Sequence, residues 1–479
     1  MAASLLLVTI AASAQSASSG YFLEGFNQRY QLNPAFAPER YVFMAFPGLS
    51  NLQVEAQSTV GLANFLYEST SKPGMLTTFM SPDIDAQKFL DDMPKGARFN
   101  VGLNMDILAL GIGGKNGFTT FNVKMRNSEQ IILPKELFGF MKASLAQGDY
   151  LIENININTT TYMEASLTHS HKIGENLTVG LGLKFLEGVA YADVTINEID
   201  AKLHEDEWRV KSNGTIKASV PGAQYKLDPE KNTFDGIEGF KFSMPGSHGL
   251  AVDLGAEYDF KDIVEGLKVS AAITDLGFIG WANMNTFATN NNEYVEFEGF
   301  NNYDVNGDNN DETMDQINDD FNDMVQLYQT GTTDKRERVA LAANFRLGAE
   351  YALPFADWVS FGELITFRTG MYPYAASRTS VTLSPCGWID LSGNFAWTTY
   401  GSTLGMLLNF HPGGINFFLA VDRLKAEFNP QFVPLHDFGL NFSLGLNLAF
   451  GKKRDREKPD RDNYLDYSDN RDHKEYRNY

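Results

Sequence analysis

The chain has 479 residues, 43% of them hydrophobic, with 36 Phe, 42 Gly and a formal net charge of −21 at pH 7. This negative charge argues against a nucleic-acid partner, which would require a basic surface, and the single Cys386 excludes an internal disulfide. No uninterrupted apolar stretch of about 18 residues follows the N-terminus, which excludes helical membrane spans. The mean hydropathy of −0.25 is compatible with a transmembrane β-barrel, whose strands alternate polar and apolar residues.

Residues 1–14 are predicted to be a signal peptide. An apolar run from Leu5 to Ala12 ends in Ala12-Ser13-Ala14, the small-x-small pattern at which signal peptidase cleaves. The Lys or Arg that usually precedes such a run is missing, and the alternative is a buried first strand. The pattern favours export.

The segment 15–51 is predicted to form a plug-like element inside a barrel. It lacks clean alternation, and the stretch 21–40 contains two prolines and several aromatic residues whose exposure to water would be unfavourable. The lumen is the nearest place to bury them. The bend that turns the chain inward is assigned to Asn33, Pro34 and Ala35, and an ordinary turn before the first strand is the alternative.

From residue 52 onward, short segments alternate apolar and polar residues with a period of two. In "RFNVGLNMDI" (98–107) the odd positions are apolar and the even positions are Arg, Asn, Gly or Asp. "LTVGLGLKF" (177–185) and "GLNFSLGLNLAFG" (439–451) repeat the pattern. Alternation with ionisable residues on one face is typical of strands between two different solvents, although a β-sandwich also alternates.

The connections between these segments distinguish a transmembrane barrel from a β-sandwich. Short turns such as "GGKNG" (113–117) alternate mostly with long loops such as 200–246 and 282–340. This predicts an all-β transmembrane outer-membrane barrel over residues 52–450, with about 14 antiparallel strands, periplasmic turns, outward loops and both termini in the periplasm. The strands are predicted near 52–64, 97–112, 118–130, 152–171, 177–199, 247–260, 267–281, 341–353, 358–369, 376–384, 388–399, 402–411, 414–421 and 437–450.

Two stretches in the outer loops have helical patterns. Ser81 and Pro82 offer an N-cap and a first helical residue for "SPDIDAQKFLDDM", and "LPKELFGFMKASLAQG" is amphipathic. Short surface helices are therefore expected. The closing strand ends at Phe450, where outer-membrane proteins carry an aromatic assembly signal. The mixed-charge segment 451–479 is predicted to be a disordered periplasmic tail.

The lumen-facing parity of the predicted strands carries ionisable residues of both signs. The simplest interpretation is a salt-bridged wall that holds the barrel rigid, and the sharper one is that these side chains line a solute path. Arg29 and Arg40 of the N-terminal segment are expected to pair with lumen acids such as Asp253 or Glu257. The lumen candidates are Arg98, Asp106, Lys124, Arg126, Glu164, Lys184, Asp253, Glu257, Lys268, Asp275, Arg346, Glu350 and Asp390.

One acidic loop imitates a calcium-binding loop. Asp304, Asn306 and Asp308 have the one-three-five spacing of an EF-hand, but Asn309 stands where that loop needs Gly and Asp315 where it needs Glu. A solvated acidic loop is the alternative, so calcium is a weak candidate and no other cofactor is predicted. Because no Gly-x-Ser-x-Gly, His-Glu-x-x-His, Walker-type or Cys-x-x-Cys motif occurs, the chain is predicted not to be an enzyme.

Several stretches resemble a known family. "YQLNPAFAPER", "LTVGLGLKFLEG", "GLAVDLGAEYDF", "VSAAITDLGFIGWAN" and "HDFGLNFSLGLNLAFG" are similar to a Bacteroidota outer-membrane family catalogued as a domain of unknown function (DUF number fifty-seven twenty-three). The resemblance implies an outer-membrane barrel without an established activity. Asn33-Pro34-Ala35 also resembles a motif of the long-chain fatty-acid channel superfamily, in which the N-terminal segment folds into the barrel as a plug. The charged C-terminal tail departs from the family.

These observations predict a non-enzymatic outer-membrane barrel for the passive passage of a small or hydrophobic solute. The alternative is a surface scaffold on which secreted or envelope proteins dock, because the loop 282–340 and the charged tail extend from opposite ends. An outer-membrane hydrolase is less favoured, since it would need a Ser/His or Asp/His pair near the outer rim. The predicted partners are outer-membrane lipid and envelope or secreted proteins.

Overall fold

The alternating segments form the wall of an antiparallel β-barrel. The computed structural model describes residues 17–72, 74–143, 147–204, 207–227, 234–241, 246–289, 294–297, 328–333, 335–371, 373–425 and 437–453. The predicted signal peptide and residues 454–479 of the predicted tail lie outside this part of the chain. Within it, no helix is both long enough and apolar enough to cross a membrane.

The described residues contain twenty-four strands, two α-helices and four 3-10 helices. The α-helices are α1 (Ala86–Asp92) and α2 (Lys135–Ala143), and the 3-10 helices are Ser18–Gly20, Asn27–Gln31, Leu62–Asn64 and Pro412–Gly414. The strands are β1 (Arg40–Ala45), β2 (Leu52–Ser58), β3 (Leu66–Glu68), β4 (Leu76–Thr78), β5 (Gly96–Gly113), β6 (Gly117–Pro134), β7 (Gly148–Ile173), β8 (Leu177–His204), β9 (Glu207–Ser219), β10 (Ala223–Leu227), β11 (Phe234–Phe240), β12 (Ser247–Asp259), β13 (Leu267–Trp281), β14 (Met284–Ala288), β15 (Val295–Phe297), β16 (Tyr328–Thr333), β17 (Glu337–Ala340), β18 (Asn344–Leu353), β19 (Ala356–Arg368), β20 (Tyr374–Cys386), β21 (Ile389–Thr398), β22 (Gly401–Phe410), β23 (Ile415–Lys425) and β24 (Phe438–Lys453).

Fourteen strand positions make up the wall. Neighbours pair in antiparallel register from β5 to β8, from β8 through β12 to β13, and from β13 through β18 to β24. The ring closes because β24 pairs with β1 and β2, which pair in turn with β5. β1 and β2 share one position, as do β17 and β18, so the prediction of about 14 antiparallel strands is confirmed.

The two ends of the barrel differ in their connections. Short turns join β5 to β6, β7 to β8, β18 to β19 and β22 to β23 at one end, which we call the turn end. The long connections lie at the opposite, loop end. Arg40 and Lys453 pair at the turn end, so the first wall strand begins and the last one finishes there.

The wall begins at Arg40 and not at residue 52, so the expected boundary of the plug-like segment is wrong. Phe43 of β1 points inward and is 1% exposed, whereas its neighbour Met44 points outward and is 42% exposed. With six residues β1 is too short to show a clear period of two. It nevertheless supplies hydrogen-bond partners to β24 and β5 near the turn end, where β2 does not reach. Arg40 donates to the Gly451 carbonyl oxygen at 3.1 Å, so its expected pairing with a lumen acid is wrong.

The two faces of the wall have opposite chemistry. Large apolar side chains such as Leu183, Leu254 and Ile365 project outward and are about half exposed, while the alternate positions carry buried Asn, Ser, Thr and charged side chains. An outer surface of exposed aliphatic and aromatic side chains around a polar interior is what a bilayer requires of a barrel. The protein is therefore a transmembrane β-barrel.

At the loop end, several strands continue far beyond membrane height. β7 has 26 residues and β8 has 28, whereas a tilted strand crosses a bilayer with about 9–11. β9 pairs with the projecting part of β8 and in turn with β14 and β15, so the regions 200–246 and 282–340, expected to be loops, contain strands. The extension forms because the exposed edge of β8 can satisfy its backbone groups by pairing with the returning chain.

Both expected surface helices are present at the loop end. α1 begins after Asp85, whose carboxylate accepts a hydrogen bond from the Lys88 amide at 2.8 Å, so Asp85 and not Ser81 is the N-cap. Phe89 of α1 and Phe138 of α2 belong to one buried apolar cluster with residues of the 60–97 segment. This packing fixes both helices against the ends of β5 and β6.

Candidate functional site in the barrel lumen

The N-terminal segment 17–39, which we call the plug, lies inside the barrel. From residue 17 to 38 every side chain except those of Glu24 and Gln31 is buried. The plug makes hydrogen bonds to strands on different sides of the wall, so the wall must surround it. These contacts are Asn27 to Asn447 of β24 (2.8 Å), Tyr21 to Ser270 of β13 (3.0 Å), Tyr30 to Asn122 of β6 (2.9 Å) and Ser19 to Asn394 of β21 (2.7 Å).

Asn33 ties the plug to two wall strands. Its Nδ2 lies 3.3 Å from the Ala256 carbonyl oxygen on β12 and 3.4 Å from that of Ala271 on β13, while its Oδ1 accepts from the Ala35 amide at 3.0 Å. The side chain therefore both closes the local turn and binds the wall. An apolar residue at position 33 could do neither.

Glycines on the inner face make room for this turn. A Cβ built on Gly180 would lie 2.0 Å from the carbonyl carbon of Pro34, and one on Gly255 would lie 2.0 Å from Asn33 Oδ1. Gly348 and Gly362 face the rings of Tyr21 and Phe22 in the same way. The plug backbone can therefore approach the wall only where these strands carry no side chain.

The aromatic residues of the plug fill the remaining space in the turn-end part of the lumen. Phe26 packs edge-to-face on Phe418 of β23, with ring centroids 4.9 Å apart, and Tyr30 meets Phe43 of β1 at 6.0 Å. Tyr21 is in edge contact with its plug neighbours Phe22 and Phe36. These contacts remove the apolar surface of the segment from water. Burial of this surface is the driving force for plug insertion that the aromatic composition predicts.

Charged contacts complete the attachment of the plug. Arg29 lies 3.9 Å from Glu257, and Glu24 accepts from Lys268 at 2.6 Å. The Arg29–Glu257 contact joins two residues that the sequence analysis paired. Gln31 donates to Asp106 Oδ2 at 2.7 Å.

Six of the expected lumen residues form one charged cluster at mid-height in the wall. Glu164 of β7 lies 3.5 Å from Lys124, 3.3 Å from Arg126 and 3.8 Å from Lys184. Lys184 of β8 also lies 2.8 Å from Asp253 and 2.6 Å from Asp275, and Arg126 contacts Asp275 at 2.7 Å. We call these six the charged cluster: Lys124, Arg126, Glu164, Lys184, Asp253 and Asp275.

A β-bulge brings Asp275 into the charged cluster. Asp253 of β12 lies opposite both Thr274 and Asp275 of β13, because the register shifts by one residue there. Asp275 has a φ of +64°, in the left-handed region that a non-glycine residue rarely adopts, and its amide donates to Asp253 Oδ1 at 2.7 Å. The bulge turns two successive side chains inward and so adds a carboxylate that simple alternation would not place there.

The other expected lumen residues are distributed differently. Arg346 of β18 donates to the Leu32 carbonyl oxygen at 3.2 Å, and Glu350 accepts from Ser360 at 2.8 Å. Asp390 pairs with His411 at 2.9 Å, beside the plug. Arg98 is exposed near the loop end of β5, on the same strand face as the buried Asn100 and Asn104, and its assignment to the lumen stays a prediction.

A cavity of about 400 Å³ lies on the loop side of the charged cluster. The part of its lining that β6, β7 and β8 contribute is mainly polar. The part contributed by β13 and the residues before β18 is mainly aromatic and aliphatic. Most of this lining, including Arg368, Tyr191 and Trp281, was not predicted from the sequence. The lining includes Arg126, Asn127, Ser128, Asn156, Asn158, Thr160, Tyr162, Tyr191, Asp193, Thr195, Asp275, Trp281, Leu341, Asn344, Arg346 and Arg368.

The calcium candidates Asp304, Asn306 and Asp308 lie outside the described residues. Within those residues, no group of three or more His, Cys, Asp and Glu side chains is arranged to hold a metal ion.

The sequence matches one family model. A model described as "Family of unknown function (DUF5723)" covers residues 34–422. The chain belongs to this family. No curated protein matches this chain significantly.

Several solved structures are similar to this chain at low sequence identity. They include the Pseudomonas putida toluene transporter TodX (8% identity, 89% of this chain and 94% of that chain, TM-score 0.41) and a Pseudomonas aeruginosa FadL homologue (11%, 92% and 99%, 0.41). The Ralstonia pickettii toluene transporter TbuX is similar at 9% identity, over 92% and 95%, with a TM-score of 0.38.

Replacing Gly180 by Ala is expected to loosen the plug. The new Cβ would collide with the Pro34 backbone, which cannot rotate away, and such overpacking typically costs about 1–3 kcal/mol. Trypsin cleavage after Arg29, which is 3% exposed, should then be about 5- to 100-fold faster, because local opening limits access. Gly393→Ala is the matched control, since a Cβ there has open space. Equal cleavage of the two variants would show that the close contact does not hold the plug.

Proposed function

We propose that the chain is an outer-membrane channel for the passive passage of a small solute, in which the plug moves to open the path. The observation that carries this proposal is the combination of a polar cavity on the loop side with a plug that, apart from its chain connection to β1, is held in the lumen only by non-covalent contacts. In this proposal the loop end faces outward and the turn end faces the periplasm, with both termini on the periplasmic side. No chemical step is part of this function.

The contacts of the plug support a movable element. Hydrogen bonds and ion pairs with the wall, such as Asn27 to Asn447 and Glu24 to Lys268, can be exchanged for water when the plug shifts, since each has a modest net free energy. The charged cluster would keep the surrounding wall in shape meanwhile, because its ion pairs join β6, β7, β8, β12 and β13 to one another. A rigid wall around a separable plug is the arrangement that gated passage requires.

A docking scaffold is the second candidate. The specific observation in its favour is the sheet of β8, β9, β14 and β15 beyond membrane height, which passage of a solute does not require. A scaffold, however, does not require a polar cavity in the lumen. We therefore rank passage first.

A disulfide lock tests passage past the plug. A Cβ on Gly405 would lie 2.9 Å from Ser19 Oγ, close enough for the pair Ser19→Cys and Gly405→Cys to form a disulfide. The same Cβ would lie 2.5 Å from Asn394 Oδ1, so the end of that side chain must rotate away in both the reduced and the oxidised form. The native Cys386 is replaced by Ser in the same protein. Proteoliposomes are then compared in a swelling assay with small neutral sugars, before and after oxidation and again after reduction.

Oxidation is expected to slow swelling strongly and reduction to restore it. The Cys386→Ser protein without the pair serves as the control and should respond to neither reagent. Swelling that is equally fast in the locked and reduced forms would show that solute does not pass the plug. No swelling in any form would favour the scaffold.

A further inference from the structure

Three arginines line the lumen cavity, and they differ in whether nearby carboxylates neutralise their charge. Arg126 lies 2.7 Å from Asp275 and 3.3 Å from Glu164. It belongs to the charged cluster, which contains three cations and three carboxylates and is balanced by itself. The other two, Arg346 and Arg368, lie outside that balance.

Arg346 is a buried cation that forms no ion pair with a carboxylate of the described residues. Its side chain is 7% exposed, and its Nη1 donates to two neutral oxygens, those of the Leu32 carbonyl at 3.2 Å and the Thr274 hydroxyl at 3.0 Å. Its Nε is buried and has no hydrogen-bond partner. Among the described residues, no carboxylate oxygen lies within 4.0 Å of it. A buried charge in this condition is unfavourable unless another group pairs with it.

Arg368 adds a second positive charge on the same face of the wall. It lies opposite Asn344 in the register of β18 and β19, while Arg346 lies opposite Thr366. The two arginines are thus diagonal neighbours, a placement that brings side chains within about 7–8 Å of each other. In the part of the chain that the structure describes, no Asp or Glu forms an ion pair with Arg368 either. Both line the cavity.

The rest of the lining suits a hydroxylated solute better than an alkyl chain. Asn156, Asn158, Thr160 and Thr195 contribute amide and hydroxyl groups, which can both donate and accept hydrogen bonds. Asn158 and Thr195 also donate to the lining carboxylate of Asp193, at 3.1 and 3.2 Å, so that acid is already hydrogen-bonded by its neighbours. On another side, Tyr191 and Trp281 stack on each other with centroids 5.1 Å apart and supply a limited apolar edge. A volume of about 400 Å³ accommodates a molecule of monosaccharide size with some water.

We propose that this cavity is a binding site for a small hydroxylated solute that carries an oxyanion, with Arg346 and Arg368 as the residues that recognise the anionic group. The planar guanidinium donates in a fork that matches a carboxylate or a phosphate. An incoming oxyanion would provide the partner that Arg346 lacks. The inference names a solute class for the channel proposed above and rests on that proposal for its role in passage.

Calorimetric titration of the purified full-length barrel in detergent tests the site. The probes are sodium glucuronate, glucose 6-phosphate, glucose and sodium hexanoate. We expect glucuronate or glucose 6-phosphate to bind at least about tenfold more tightly than glucose, because a charged hydrogen bond is lost in the neutral sugar. The tighter of the two oxyanions identifies the source of the anionic group. Hexanoate should bind more weakly than glucuronate, because it leaves the amide and hydroxyl lining unpaired.

Arg346→Gln and Arg368→Gln should each weaken oxyanion binding by about 10- to 100-fold and leave glucose binding unchanged. Arg368→Gln is the decisive variant, because no hydrogen bond joins Arg368 to the described plug residues, whereas Arg346 contacts Leu32. Arg338→Gln is the control, since this arginine is exposed and lies over the ring of Phe278 on the outer surface of the wall. Oxyanion binding no tighter than glucose binding, or equal in all three variants, would overturn the proposal. Binding is measured without flux, so a failure of the channel proposal would be seen separately.

Discussion

Deleting residues 18–36 is expected to convert a nearly closed barrel into an open pore. The deletion removes the buried part of the plug, and the space it leaves is lined by polar groups such as Asn122, Ser270 and Asn447, which water can solvate. Single-channel recordings in planar bilayers should show a conductance at least an order of magnitude above that of the intact protein. Ala37, Pro38 and Glu39 remain as the lead into β1, which must be kept because it belongs to the wall.

The barrel should survive this deletion. The pairs that close the ring, such as Val42 with Phe450 and Leu52 with Leu444, involve no residue before Arg40. Folding is checked by the shift in electrophoretic mobility on heating, which reports an intact barrel. A folded deletion protein whose conductance equals that of the intact chain would show that the plug does not obstruct the lumen.

Replacing Leu183 by Arg is expected to cost about 2–4 kcal/mol of folding free energy, the cost of a cation on a lipid face near mid-bilayer. Leu183 projects outward and is 55% exposed. It lies six residues from the start of β8 at Leu177, which is about 15 Å along the membrane normal for a strand tilted by about 40°. Equilibrium urea unfolding in lipid vesicles measures the change.

Ile173→Arg is the matched control for depth. Ile173 has almost the same exposure, 52%, but it is the last residue of β7, at the turn end. Near the interface an arginine costs only about 0–1 kcal/mol, because its head can reach water. Equal destabilisation by the two substitutions would mean that Leu183 does not face the middle of the bilayer.

The wall was predictable because its signal is local. A period of two is set by backbone geometry, so the segments around 98–107, 177–185 and 439–451 could be assigned one at a time, and the alternation of turns and loops supplied the count. β1 was missed because six residues give only three positions per face. β9 and β14 were missed because they lie among loop-like sequences and take their order from the projecting edge of β8.

The lumen was predictable as a set of residues but not as a set of contacts. Parity alone identified Glu164, Lys184 and Asp253 as inward-facing, yet which cation meets which carboxylate depends on strand order across the barrel. The bulge at Asp275 depends on register, and a single sequence does not show register. The alternating pattern placed Gly180 and Gly255 on the inner face of their strands. It did not show why glycine is needed there, because the reason is the close contact with Asn33 and Pro34 of the plug.

The position of β1 has a consequence for the order of assembly. The plug leads directly into β1, and β1 is one of the strands that seal the seam with β24. A barrel that sealed this seam with the N-terminal segment still outside would trap it on the wrong side. To recover, it would have to reopen the seam or draw about twenty residues back through the turn end, against the loop-closure entropy of a chain anchored at Arg40. Entry of the N-terminus and sealing of the ring are therefore expected to be coupled steps in assembly.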